Sequence, residues 1–126
     1  MRPRSVVFLP DSSRAFVPSE SAGEINLIDA QNQKLLKTIT LPKGTRPQCL
    51  QVSPDGKKLY AGGGRSGTVC VLDTTTLDLL NTIKVGQRPW GIALSPDGKY
   101  LFSANGPSDD VSVVDLAAGK EVLKVK

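Results

Sequence analysis

Residues 88–115 read RPWGIALSPDGKYLFSANGPSDDVSVVD, and the main features of this stretch occur twice more, earlier in the chain. An Arg-Pro pair, a Pro-Asp pair and an aspartate that closes an apolar run return at a spacing of about 42–44 residues. The repeated positions are Arg2-Pro3, Arg46-Pro47 and Arg88-Pro89; Pro10-Asp11, Pro54-Asp55 and Pro96-Asp97; and Asp29, Asp73 and Asp115. A fixed period of this length predicts a repeat architecture of three units.

Each unit predicts four short strands joined by turns. Residues 95–99 form a turn because proline fixes φ, aspartate accepts local N–H bonds and glycine tolerates a positive φ. The recurring aspartates Asp29, Asp73 and Asp115 are expected to form the turns after the third strands. The predicted strands are 5–9, 15–17, 25–28 and 35–39, then 49–52, 59–61, 69–72 and 80–84, then 90–94, 100–104, 111–115 and 121–126.

The third strand of each unit is apolar at nearly every position, whereas the fourth alternates polar and apolar residues. A strand buried on both faces needs a like sheet on each side, and radial repetition of four-stranded sheets provides this in a β-propeller. We therefore predict an all-β chain of three four-stranded antiparallel propeller blades. The blades occupy 1–44, 45–86 and 87–126 of a single domain, 1–126.

Composition argues against several classes of function. The 126 residues include no histidine, which excludes a Ser-His-Asp triad and His-based zinc sites. The net charge is +4, but the 16 Lys and Arg are dispersed, so we expect no nucleic-acid partner. No apolar run is long enough for a membrane helix, and no signal-peptide core follows Met1. No motif indicates a metal or a cofactor, since the run Gly62-Gly63-Gly64 does not precede a helix.

The two cysteines, Cys49 and Cys70, fall on the first and third strands of the second unit. Strands two positions apart are separated by about 9.6 Å. A disulfide requires α-carbons closer than about 7 Å. Both thiols are therefore predicted to be free and packed.

The units resemble the YVTN family of β-propeller repeats. The resemblance lies in the Arg-Pro pair, the Ser-Pro-Asp-Gly-Lys turn at 53–57 and 95–99, the aromatic-bearing second strand and the Val-X-Val-hydrophobic-Asp third strand. Residues 2–6, 20–21 and 105–115 are also similar to the bacterial propellers associated with PQQ-dependent alcohol catabolism. That subgroup is typically exported and longer than this chain, so the resemblance implies the bacterial periplasm, although the chain itself does not fix a location. Residues 62–64 and Pro18 depart from the family's Ser/Thr-Asn preference.

Three blades leave a propeller unclosed, because natural rings contain about four to eight blades. Both end blades would then expose an apolar sheet face. A twofold homodimer would give a closed six-bladed ring, and twofold dimers are the commonest oligomers. We therefore expect the chain to partner with itself, whereas seven blades cannot be made from whole copies of it.

In propellers, the loops from fourth to first strands and from second to third strands share one face around the channel. These loops carry the candidate ligand-binding residues Arg2, Arg46, Arg88, Trp90, Glu20, Arg65, Asp109 and Asp110. The arginines would either bind a carboxylate or phosphate, or they would cap carbonyls of neighbouring blades or pair with an acidic loop residue. The two aspartates would either assist a cation such as Ca²⁺, which takes six to eight oxygens, or form a solvated turn. Trp90 would be either a ligand platform or a packing residue.

The missing histidine and the lack of a nucleophile–base pair favour a protein that is not an enzyme. The first hypothesis is a non-catalytic scaffold that self-assembles and binds a protein or small anion at its channel face. The second is a fragment of a lactonase-like or PQQ-pathway propeller, which convergence of Glu20, Arg46 and Asp109 on one cavity would favour. The third is an engineered chain made for propeller assembly.

Overall fold

The computed structural model of the chain describes residues 2–126, which form three antiparallel sheets of four strands and one 3₁₀ helix. The first sheet contains β1 (Val7–Phe8), β2 (Arg14–Ser19), β3 (Glu24–Asp29) and β4 (Lys34–Thr40). The second contains β5 (Cys49–Val52), β6 (Lys58–Gly62), β7 (Thr68–Asp73) and β8 (Leu79–Lys84), and the 3₁₀ helix spans Gly64–Ser66. The third contains β9 (Pro89–Leu94), β10 (Tyr100–Asn105), β11 (Asp110–Asp115) and β12 (Lys120–Val125). The prediction of three four-stranded antiparallel blades is confirmed.

The turn between the first and second strands of a blade follows from the chemistry of its residues. Asp55 Oδ1 accepts hydrogen bonds from the Ser53 hydroxyl at 2.6 Å and from the Lys57 amide at 3.0 Å. Gly56 adopts a φ of 75°, in the left-handed region that glycine occupies without strain. The same contacts, at the same distances, hold the turn at 95–99. The repeated motif is therefore a structural turn.

The recurring aspartates form the turns that follow β3, β7 and β11, as predicted. Asp29, Asp73 and Asp115 each accept hydrogen bonds from backbone amides two or three residues further along the chain, at 2.7–3.1 Å. Their carboxylates are used to close the hairpins between third and fourth strands.

Two local features differ from the sequence-based expectation. The strand expected at 5–9 pairs only over Val7–Phe8. The glycine run was expected not to precede a helix, but Gly62 ends β6 and Gly64 begins the 3₁₀ helix. A β-carbon on Gly64 would lie 2.5 Å from the Arg46 carbonyl oxygen, so glycine is required where these two backbones meet.

The second blade lies between the other two, and β7 shows this most clearly. Cys70 and Leu72 pack into an apolar cluster shared with the first blade, which contributes Phe16, Ile25 and Leu27. Val69 and Val71 point to the opposite face, into a cluster shared with Leu101 and Val114 of the third blade. A strand buried on both faces is thus found in the middle blade, whereas β3 and β11 are alternately buried and half-buried.

Each end blade presents a row of apolar residues on the face that points away from the second blade. In the first blade the row is Phe8, Ala15, Ile28 and Leu35, which are register partners across the sheet. In the third blade it is Ala93, Phe102, Val113 and Leu123. Leu35 is 63% exposed and Leu123 is 57% exposed, so the large side chains of these rows face solvent, although Ala15 within the first row is buried. No helix within residues 2–126 has the length and apolarity needed to cross a membrane.

Candidate binding site at the channel face

The first strands of the three blades are neighbours, since β5 packs against both β1 and β9. Three side chains at equivalent places just before or within these strands line one cavity of about 470 Å³. They are Arg4, Gln48 and Trp90, each two residues after the arginine of an Arg-Pro pair. These three side chains therefore form the part of the propeller channel wall that this chain provides.

Glu20 connects the first two of these side chains. Arg4 Nε donates a hydrogen bond to Glu20 Oε2 at 2.6 Å, and Gln48 Nε2 donates to Glu20 Oε1 at 3.0 Å. These two hydrogen bonds, that of Arg4 first, lower the pKa of Glu20 below its ordinary value. Glu20 is consequently a carboxylate at neutral pH, and it holds Arg4 against the channel wall.

Trp90 also lines this cavity, and its ring has two environments. Its ring packs against Gly106, where a β-carbon would overlap the six-membered ring of the indole. The side chain is nevertheless 57% exposed. One part of the ring is therefore a packing surface and another part is open to the channel.

The structure places the predicted arginines in different locations from one another. Arg46 donates to the Ser21 carbonyl at 2.9 Å, so it caps the neighbouring blade, which was one of the expectations for these residues. Arg46 lines a crevice between the first and second blades. Arg65 and Arg88 line a second crevice, between the second and third blades. Arg2 contributes its carbonyl oxygen, which accepts a hydrogen bond from the Glu20 amide at 3.0 Å.

The two acidic residues predicted for the site in the third blade, Asp109 and Asp110, also differ from each other. Asp110 Oδ1 accepts hydrogen bonds from Asn105 Nδ2 at 2.7 Å and from the Ser108 hydroxyl at 3.1 Å. The bond from Asn105, followed by that from Ser108, lowers the pKa of Asp110. Asp109 has a φ of 53° and lines a cavity with Trp90 on the open face of the third blade. Glu20, Arg46 and Asp109 therefore do not converge on one cavity. Nor do residues 2–126 contain a group of three or more Asp, Glu, Cys or His arranged to hold a metal ion.

The interpretation of the sequence overlooked Arg4, Gln48 and the buried network around Asn105. The signal for the channel residues was their shared position after the Arg-Pro pair, but the three residue types differ, which hides the equivalence. In the network, Asn105 Nδ2 also donates to Ser112 Oγ at 2.9 Å, and Ser112 Oγ accepts the Gly86 amide at 3.1 Å. This network joins the second and third blades beneath the channel face.

Radially arranged four-stranded blades with a polar channel wall define a β-propeller as the class of this protein. The chain belongs to the family described as lactonase, seven-bladed β-propeller, whose model matches residues 2–125. The expected resemblance to bacterial propeller proteins is confirmed by relatives in both sequence and structure.

One curated relative is the uncharacterized protein YncE of Salmonella typhimurium. It is 36% identical over 64 residues, which are 51% of this chain and 18% of that protein. The hydrazine synthase structure of Kuenenia stuttgartiensis matches 97% of this chain and 35% of its own, with a TM-score of 0.90 and 30% identity. A putative 6-phosphogluconolactonase from Bacteroides fragilis matches 98% of this chain and 39% of its own, with a TM-score of 0.79 and 25% identity. The chain thus corresponds to well under half the length of these proteins.

The expectation that the protein is not an enzyme was wrong. The family is one of lactonases, and a similar structure is described as a putative 6-phosphogluconolactonase, so the relatives point to a hydrolase. The absence of histidine excludes only histidine-dependent chemistry in these residues. Guanidinium and amide groups are among the donors that stabilise a developing oxyanion without histidine.

Proposed function

We propose that the chain provides the binding wall of a lactone hydrolase, with Arg4 as the substrate-binding cation of its channel. The observation that carries the proposal is the convergence of Arg4, Gln48 and Trp90 on one cavity, with Glu20 behind them. The family match and the structural similarity to a putative 6-phosphogluconolactonase support a cyclic ester as the substrate class.

Hydrolysis of a lactone places negative charge on the carbonyl oxygen. Water adds to the carbonyl carbon, the ring C–O bond breaks, and the ring oxygen gains a proton to give a hydroxy acid. Arg4 is suited to the developing charge because a guanidinium stays protonated and has five N–H donors. Its Nε is bonded to Glu20, which leaves the terminal amino groups to donate to the substrate oxygen. A donor in such a position contributes about 10²–10³-fold to the rate.

Glu20 acts as a positioning residue in this proposal. Its lowered pKa keeps it charged, so that it orients Arg4 and Gln48 rather than supplying a proton. The exposed part of Trp90 offers an apolar face to the ring of the substrate, and its indole N–H is a further donor.

The channel site is tested by fluorescence, because Trp90 is the single tryptophan of the chain. Titration with an aldonolactone, and separately with its hydroxy acid, is expected to change the Trp90 emission saturably. Arg4→Ala should weaken this response at least about tenfold, whereas the matched control Arg14→Ala, at the opposite end of β2, should retain it. An unchanged spectrum at millimolar ligand, or an equal loss in both variants, would contradict the proposal. Proton release in a pH-stat then measures hydrolysis itself.

For the 126-residue chain on its own, a second copy is proposed to cover the two apolar rows, giving six blades. The supporting observation is that both rows contain large exposed side chains, among them Phe8 (51%) and Phe102 (42%). Apolar patches of this kind mark interaction surfaces, and a twofold arrangement would cover both rows at once. In a seven-bladed ring of the family, further blades would occupy the same two faces.

The proposed location is the bacterial periplasm. The Salmonella relatives and the resemblance to exported PQQ-associated propellers support it. Fractionation of cells that express the natural gene from its own promoter tests it, and recovery only with cytosolic markers would contradict it.

A further inference from the structure

The crevice between the second and third blades is lined by four cationic side chains. Arg65 lies in the 3₁₀ helix after β6, and Lys84 ends β8. Arg88 directly precedes β9, and Lys124 lies on β12. Together they surround a cavity of about 570 Å³ that lies apart from the channel wall formed by Arg4 and Trp90.

The equivalent crevice between the first and second blades shows that the fold does not require these charges. The repeat places Ser21 where Arg65 stands, Thr40 where Lys84 stands, and Thr82 where Lys124 stands. Only the arginine of the Arg-Pro pair is common to both crevices. Three of the four cations are thus specific to the second crevice, although both crevices are built from the same loops.

The shared arginine also behaves differently in the two crevices. In the first, the guanidinium of Arg46 is used in a hydrogen bond to the Ser21 carbonyl. In the second, Arg88 adopts a φ of 51°, in the left-handed region, which Arg46 does not. Within the described chain, Arg88 makes no corresponding hydrogen bond, and its donors remain available in the crevice.

Few acidic groups balance these charges: Glu121 contacts Lys124, and Asp110 lies beside the crevice, where it accepts a hydrogen bond from the lining residue Ser108. Between residues 2 and 126 only two salt bridges form, Arg4 with Glu20 and Lys124 with Glu121 at 3.7 Å. Arg65, Lys84 and Arg88 have no acidic partner within 4 Å in that part of the chain. Four cations that share one cavity repel each other, and a multivalent anion between them removes that repulsion.

We propose that this crevice is a binding site for a compact oxyanion of the phosphate type carrying two negative charges. The two arginines supply planar donor pairs for its oxygens, and the two lysines supply mobile point charges. The site lies between two blades that the chain itself contains, so it is complete without any further blade. It is separate from the channel function proposed above.

The test uses the ¹⁵N-labelled 126-residue chain titrated with inorganic phosphate at low ionic strength. The amide signals of Gly67 and Gly86, which line the crevice, are expected to shift saturably. Replacing Arg65→Ser, Lys84→Thr and Lys124→Thr gives the second crevice the residues of the first, and should weaken binding at least about tenfold. The control, Lys34→Thr, Lys57→Thr and Lys99→Thr, removes the same charge at the opposite ends of the blades and should bind like the wild type.

Equal weakening in the two triple variants would overturn the proposal, since net charge alone would then explain binding. Shifts confined to the Trp90 cavity, or no saturable shift, would overturn it as well. Thermal unfolding checks that each variant is folded, and Arg65→Ser alone replaces the triple variant if that one unfolds. A parallel titration with a sugar phosphate shows whether the crevice binds the free ion or a phosphate ester more tightly. Because Trp90 lines the channel cavity and does not line the crevice, failure of the channel proposal is distinguishable from failure here.

Discussion

Gly86 of the second blade and Asn105 of the third are in such close contact that no side chain fits between them. A β-carbon on Gly86 would overlap the Asn105 amide nitrogen and lie 2.6 Å from Asp110 Oδ1. The Gly86 amide meanwhile donates to Ser112 Oγ, so the backbone is held on the network that joins the blades. This contact fixes the position of the loop that carries Arg88.

Gly86→Ala is therefore expected to destabilise the fold. The methyl group would have to displace a buried amide and carboxylate, at a cost of about 1–3 kcal/mol in the free energy of unfolding. Gly91→Ala is the control, because its β-carbon would meet no atom within 4 Å and its φ is not positive. Urea unfolding of the two variants measures the difference. Equal stabilities would mean that the Asn105 network tolerates a shift.

The Glu20 carboxylate predicts a dependence of stability on pH. Its pKa in the folded protein lies below its ordinary value of 4.5, because it accepts hydrogen bonds from Arg4 and then Gln48. A lowered folded pKa gives stabilisation that is present above the unfolded pKa and is lost as the pH falls through the folded pKa. Between about pH 4.5 and the lower folded pKa, Glu20→Gln should therefore lose less stability than the wild type.

The measurement is the free energy of urea unfolding at a series of acidic pH values. The turn aspartates contribute to both proteins alike, so the difference isolates Glu20. Glu24→Gln is the control, since Glu24 takes part in no salt bridge of the described chain, and it should follow the wild type. Parallel curves for wild type and Glu20→Gln would refute the role of the Arg4 contact.

Both cysteines are expected to be unreactive in the native protein. Burial raises the pKa of Cys49 to about 11 and also raises the pKa of Cys70. The thiolate is the nucleophile, so very little reactive species exists at pH 8. A disulfide-exchange reagent should label two thiols per chain in denaturant and almost none without it. Rapid native labelling that disappears in Cys49→Ser would show that β5 opens easily.

Self-association of the 126-residue chain should depend on the exposed apolar rows. Phe102→Lys places a charge in the row formed by Ala93, Val113 and Leu123 and is expected to shift the protein from dimer to monomer. Thr75→Lys adds the same charge on an exposed turn and should leave the mass unchanged. Sedimentation equilibrium at micromolar concentration distinguishes the species. A wild-type chain that sediments at 13.4 kDa would disprove the dimer.

The secondary structure was predictable because its causes are local. The Ser53–Asp55 hydrogen bond and the left-handed Gly56 act within five residues, so the sequence of the turn is enough to specify it. The alternation of Val69, Cys70, Val71 and Leu72 between two apolar clusters likewise follows from the two-residue period of a strand.

The sequence predicted on which face of the fold the candidate site lies, but it did not predict all of the residues that form the site. Repeat alignment placed Glu20 and Trp90 near the channel. In the structure Trp90 lines the cavity with Arg4 and Gln48, and Glu20 accepts hydrogen bonds from these two residues. The alignment did not single out Arg4 and Gln48, whose approach to one another depends on how closely β1 and β5 pack. The prediction that the protein is not an enzyme failed for the same reason. An absent histidine says nothing about what guanidinium and carboxylate groups do once packing brings them together.

The sequence by itself determined the strands, the turns and the three-blade organisation, since each rests on interactions between residues close in the chain or on the repeat period. The tertiary structure alone decided that Arg46 caps a neighbouring blade while Arg88 shares a crevice with Arg65 and Lys124. Both arginines begin the same Arg-Pro motif, and local chemistry does not distinguish them. The physical reason is that a charge acquires its role from the groups that packing places around it, and those groups come from different blades.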